Sequence, residues 1–187
     1  MRIDMIYVAI ALVLVLVIAP IISVLPSARQ KEQMSLRKIA MSAGFSIDLT
    51  HIDDPDPDPE KYLSNTGKPL PRVMPAIAYR LPRRGMRDVP LMDWCVVRRS
   101  DSKLDELLPP GWTWVSGATA NMSNEFKTFL HGSLEKLPND VIRVEEVNRI
   151  VSVYWNEQGG TDAVNAIIAF AKHCVAIVPH AAPSNSF

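Results

Sequence analysis

The feature that most constrains this chain is an uncharged run from Met5 to Leu25, dominated by Ile, Val, Leu and Ala. At ~1.5 Å per residue a helix of that length reaches roughly 30 Å, the thickness of a bilayer's hydrocarbon core. The run predicts one transmembrane helix. A cleaved secretory signal would start with basic residues, carry a shorter apolar core and end on small residues at the cut site. This chain starts with Arg2 and Asp4 and places Pro26 just before Ala28, so a retained anchor is expected. Arg2 is the only basic side chain before the run, whereas Arg29, Lys31, Arg37 and Lys38 follow it. That imbalance places everything after Leu25 in the cytoplasm. Tyr7 stands where an aromatic ring can sit at headgroup level.

Of the 187 residues, the portion after the run is the usual size of one domain with a single core. Lysine plus arginine and aspartate plus glutamate both number 20, so no basic field exists to attract nucleic acid. Cys95 and Cys174 lack any CxxC spacing, and their expected state is two reduced thiols packed as small hydrophobes.

Ser27 can cap a helix that Gly44 ends, with Leu36, Ile39, Ala40 and Ala43 on one stripe. Phe45, Ile47 and Leu49 alternate with Ser46, Asp48 and Thr50 as a half-buried strand. Between His51 and Pro90 the prolines multiply. Pro55, Pro57 and Pro59 stiffen the acidic run DDPDPDPE toward an extended rod. Val73 to Leu81 reads as a strand at a sheet edge because of Pro75, and Leu91 to Arg99 as its hairpin partner. Leu104 to Leu108 reads as a helical turn stopped by Pro109 and Pro110. A helix over Asn121 to Pro138, a hairpin of Val141–Val147 and Ile150–Trp155 turning at Asn148 and Arg149, and a helix from Ala163 to Ile177 complete the reading. Thr161 or Asp162 is the candidate cap of that last helix.

The fold class expected is therefore α+β: an N-terminal transmembrane helix, then a domain with an antiparallel sheet and helices packed on one face. Its parts are an anchor at 1–26, a juxtamembrane helix at 27–44, a cytoplasmic α+β domain at 45–178 with a proline-rich loop region at 51–90, and a flexible tail at 179–187.

Few residues carry chemistry. The carboxylates of Asp53, Asp54, Asp56, Asp58 and Glu60, held along a rod, do not converge as a calcium site requires. Gly159, Gly160 and Thr161 form a strand-to-helix turn without the lysine of a phosphate-binding loop. His173 and Cys174 are neighbours on a helix and point about 100° apart. His51, His131 and His180 share no metal-ligand spacing, so no catalytic residue, metal or cofactor is expected. Candidate contacts remain. Ala19, Pro20 and Ser23 form a small-residue face on the anchor. Arg80, Arg83, Arg84 and Arg87 form a basic cluster, and Trp112 and Trp114 face one way in an extended segment, in a core or at an interface.

The runs PSARQKEQMSLRKIAMSAGFSI and LPNDVIRVEEVNRIVSVYWNEQGG resemble small uncharacterised membrane-anchored proteins of Gram-negative bacteria. That resemblance implies an inner-membrane location with the domain inside, and supplies no catalytic residues. Pro26, Arg29, Gln30 and Lys31 after the anchor also resemble the flank of the small accessory subunit of the bacterial preprotein translocase, although the glycine-containing β module of that subunit is missing here. The expected role is a non-catalytic accessory or scaffold protein whose partners are the lipid bilayer and a membrane protein complex. The competing role is an enzyme or regulator at the membrane surface.

Overall fold

The computed structural model describes residues 5–8, 10, 12–17, 27–85, 92–100, 107–117 and 122–179. The chain divides into two compact units, Met1–Ser35 and Leu36–Phe187.

The first unit corrects the expectation of an anchor. Among the described residues no helix is long and apolar enough to cross a membrane. Residues 18–26, with Ala19, Pro20 and Ser23, lie outside the described residues. The single-pass inner-membrane assignment, and the topology inferred with it, are therefore not retained. Helix α1, Ala28–Ser42, begins at a reciprocal cap. Ser27 Oγ accepts the Gln30 N–H at 3.2 Å while Gln30 Oε1 accepts the Ser27 N–H at 2.8 Å.

The second unit is an α+β domain around a six-stranded sheet. Its strands are β1 (Ser46–Asp53), β2 (Val73–Pro82), β3 (Trp94–Arg98), β4 (Trp112–Ser116), β5 (Val141–Val147) and β6 (Ile150–Trp155). They lie in the order β1-β2-β6-β5-β3-β4, every neighbouring pair antiparallel. Helices α2 (Asn124–Leu134) and α3 (Thr161–Ala176) contribute Phe126, Leu130, Leu134, Val164, Ile167, Phe170 and Ala171 to one core. The sheet answers with Tyr79, Trp94, Val96, Val144, Val151, Val153 and Trp155, and α1 adds Leu36 and Ala40. Edge-to-face rings tie the layers, Trp94 on Phe126 at 5.3 Å and Tyr79 on Trp155 at 5.2 Å.

Side chains alternate across a strand, so the same register that builds this core also builds the opposite face. One row across it runs Asp48, Ala78, Tyr154, Arg143, Val97 and Thr113; the next runs Arg80, Ser152, Glu145 and Cys95. A second, smaller apolar cluster of Ile52, Ala76, Ala78 and Tyr154 forms there.

Two strand expectations need correction. The β2 strand is not an edge strand. It lies between β1 and β6, yet its register with β6 begins only at Ile77, so Pro75 faces β1 alone and its missing N–H interrupts no ladder on the other side. Nor do β2 and β3 form a hairpin. The β5–β6 hairpin stands between them, closed by Asn148 (φ 50°) and Arg149 (φ 64°) in the left-handed region that a tight two-residue hairpin turn demands. Gly44 (φ 96°) ends α1, as its position suggests. The cap of α3 is Gly160, with no side-chain hydrogen bond, rather than Thr161 or Asp162. A Cβ on Gly159 would stand 2.3 Å from Ala163 Cβ, so the approach to α3 has no room for a side chain there. The expected turn at 104–108 falls largely on residues outside those described.

Candidate functional site

Three buried polar networks organise the domain. In the first, Arg83 enters the core side of the sheet and meets Glu146, with side chains 0% and 1% exposed. Its Nε and Nη2 donate to the two Glu146 oxygens at 2.6 and 2.8 Å. Its remaining hydrogens reach the carbonyls of Cys174, Val175 and Ile177 at the end of α3, at 2.7 to 2.8 Å. All five guanidinium donors are used. Arg83 thus satisfies carbonyls that a helix end leaves bare, and its charge suits the negative end of the helix dipole. Trp94 Nε1 also donates to Glu146 at 3.2 Å.

In the second network, Arg37 of α1 holds Glu157 in a two-pronged pair, with Nη2 to Oε2 at 2.7 Å, and Tyr79 donates to Oε1 at 2.9 Å. Hydrogen bonding to Glu157 raises the Arg37 pKa, and burial raises that of Tyr79 well above the phenol range. Glu157 has φ 52°, an uncommon angle for a residue with a Cβ, held here by its two partners.

The third lies on the opposite face, which carries no helix among the described residues. Tyr154 donates to Glu145 Oε1 at 2.6 Å and Arg143 Nε to Oε2 at 2.8 Å, beside Cys95 and Ser152. Burial pushes the Cys95 thiol up to about 11, and burial with the nearby Glu146 charge pushes Cys174 higher than an ordinary thiol. Both cysteines are buried free thiols. A reactive thiolate needs the opposite environment.

The acidic run is not a rod. Asp54 Oδ1 accepts the Asp56 N–H and Asp58 Oδ1 the Glu60 N–H, each at 3.0 Å, curling the run into turns before a short 3-10 turn at Glu60–Tyr62. Asp54 Oδ2 takes the Tyr62 hydroxyl at 2.6 Å, and hydrogen bonding from the side chain and then the backbone N–H of Ser100 holds the Asp56 carboxyl below the usual range. Among the described residues no group of three or more His, Cys, Asp or Glu could hold a metal ion.

The concave spaces are modest. A groove of about 230 Å³ between α2 and α3 is walled by Phe129, Leu137, Phe170 and His173, with Phe129 stacked on His173 at 4.3 Å. A wider cleft of about 500 Å³ at the end of β5 and β6 is lined by Asn139, Asp140, Asn156 and Gln158; Asp140 Oδ2 in it already accepts the Gln158 N–H at 2.8 Å. Neither brings a nucleophile and a base together.

The candidate contact residues separate. Arg83 is inside the fold, committed to Glu146 and α3, and is not a surface contact. Arg80 lies on the face opposite the described helices, where its Nη2 pairs with Asp48 at 3.2 Å. Arg84 is exposed, and Arg87 lies outside the described residues. Trp112 is buried beneath the Arg98 guanidinium, 4.8 Å from its ring centre, and Trp114 is half-buried against the same core. Arg80 Nε, Arg98 Nε and the indole N–H groups of Trp114 and Trp155 are buried without a protein partner.

The feature that reasoning from the sequence passed over is the outer edge of β1. All eight of its residues pair with β2 without a bulge, so its other side presents a row of backbone N–H and C=O groups with no sheet partner among the described residues. Leu49, placed by register on the helix-bearing face, is 71% exposed in the middle of that edge. In HID the alternation breaks, because Ile52 falls on the face opposite Ile47 and Leu49; only the pairing with β2 carries the strand on to Asp53, and the proline-rich composition that follows offers no sign of it.

Comparison with family models, curated proteins and solved structures finds no match to this chain.

Proposed function

We propose that the Leu36–Phe187 domain is a non-catalytic accessory or scaffold module that recruits another protein by adding a strand to the outer edge of β1. The observation that carries this reading is the pairing of a long, unbulged edge strand with an exposed leucine at its centre. Main-chain groups along such an edge supply affinity, and alternate side chains supply selectivity. The opposite edge supports the reading by contrast. Strand β4 is five residues long, follows Pro109 and Pro110, and meets β3 across a register shift at Cys95 and Val96. Those are devices that blunt an edge, and β1 has none of them. The buried acids and arginines fit the same role, because Arg83, Glu146, Arg37 and Glu157 are each spent on holding elements together.

The test is a photo-crosslinking amino acid placed at Leu49 of the full chain in its native cell, with Lys172, exposed on α3, as the control position. A protein mate crosslinked from position 49 and not from 172 is expected. No protein mate at 49 would overturn the reading.

A further inference from the structure

The edge also indicates its occupant. Resting on the reading of β1 as a docking edge, we propose that the occupant is a second copy of this chain, paired antiparallel through β1 about a two-fold axis at Leu49. A two-fold axis perpendicular to the sheet keeps each face continuous, so residues that meet must have the same parity, and only a few registers are open. Centred on Asp48, the pairing sets two carboxylates directly opposite, which is unfavourable. Centred on Thr50, it sets Asp48 against Ile52 and Asp53 against Ile47, burying carboxylates beside isoleucines. Centred on Leu49, it stacks the two exposed leucines, sets Asp48 against Thr50 twice, and sets Ile47 against His51 twice. Every residue from Ser46 to Ile52 then has a mate.

Electrostatics do not oppose the approach of a second copy. Asp48 is already paired with Arg80 on its own subunit at 3.2 Å, so the edge carries little free charge at its centre. With 20 basic and 20 acidic residues, two copies approach without net repulsion. The result joins two six-stranded sheets edge to edge and takes both Leu49 side chains out of water.

The experiment is disulfide mapping in the full chain. Cys95 and Cys174 are buried and stay silent in the native state. Under mild oxidation Leu49→Cys should form a covalent dimer. Asp48→Cys and Thr50→Cys should do so at least tenfold more slowly alone, yet crosslink readily when mixed with each other. In sedimentation equilibrium Leu49→Lys should weaken self-association at least tenfold with an unchanged circular dichroism spectrum; Leu49 is exposed, so the substitution does not disturb the core. Absence of the Leu49→Cys dimer, or equal self-crosslinking at 48, 49 and 50, would overturn the proposal. If photo-crosslinking at 49 finds a different protein, the second copy is refuted while the docking edge stands. If it finds none, both fall.

Discussion

Replacing Arg83 by methionine should be the most damaging single change at a polar residue of this domain. The substitution keeps most of the side-chain volume and removes five hydrogen bonds, two from Glu146 and three from the end of α3. Glu146 would stay buried at 1% exposure with only the Trp94 N–H at 3.2 Å to offset its charge. Breaking a buried pair from one side costs about 3–5 kcal/mol. For a domain of this size, each kcal/mol moves the melting temperature by about 2–4 °C, so a drop of roughly 6–20 °C is expected. Urea unfolding followed by tryptophan fluorescence reads the loss, since Trp94, Trp112 and Trp155 are all buried. The decisive comparison is the double variant with Glu146→Leu. It removes the stranded carboxylate, and it should be more stable than the sum of the single losses by about 2 kcal/mol or more. Strict additivity would refute the claim that the two residues act as one unit.

Further outcomes follow from the same contacts. Gly159→Ala should destabilise by about 1–3 kcal/mol because its Cβ meets Ala163, whereas Gly132→Ala, in α2 with open space around it, should stabilise by about 0.5–1 kcal/mol; equal effects in urea unfolding would contradict the packing described. Both native thiols should resist a thiol reagent until the domain unfolds, and labelling ahead of the fluorescence transition would contradict their burial. Tyr79 and Tyr154 have folded-state pKa values raised chiefly by burial. Their contribution is therefore complete below the unfolded value of about 10 and is lost as pH rises beyond it. The urea midpoint should fall between about pH 9 and about pH 11, less steeply in Tyr79→Phe; an unchanged slope in that variant would show that the Tyr79 proton is not held by the fold.

The sequence made local structure legible and long-range structure not. Asn148 and Arg149 between two β-rich runs announce a hairpin turn, and Ser27 and Gly44 bracket α1 because capping is chemistry within a few residues, although the reciprocal bond from Gln30 was not anticipated. Pro75 suggested an edge strand, and β2 is interior instead; the register that leaves Pro75 facing β1 alone depends on where β6 stops, about 80 residues later. Arg83 was read with its neighbours Arg80 and Arg84 as a surface cluster. Its partner Glu146 is 63 residues away, and no periodicity links the two. The apolar run at Met5–Leu25 misled in the opposite way. Composition and length alone predicted a crossing helix that the described residues do not form. The edge of β1 was missed because the alternation breaks at Ile52 and only the pairing with β2 carries the strand on to Asp53.

Hydrogen exchange along β1 tests the central claim most directly. Half of the amides from Ser46 to Asp53 donate to β2 and are protected whether or not anything docks. The alternate amides point outward and are protected only when a strand lies along the edge. In the assembled full chain both sets should be protected, with the outward set losing protection on dilution and in Leu49→Lys while the inward set is unchanged. Outward amides that exchange at the rate of open chain at every concentration would contradict it.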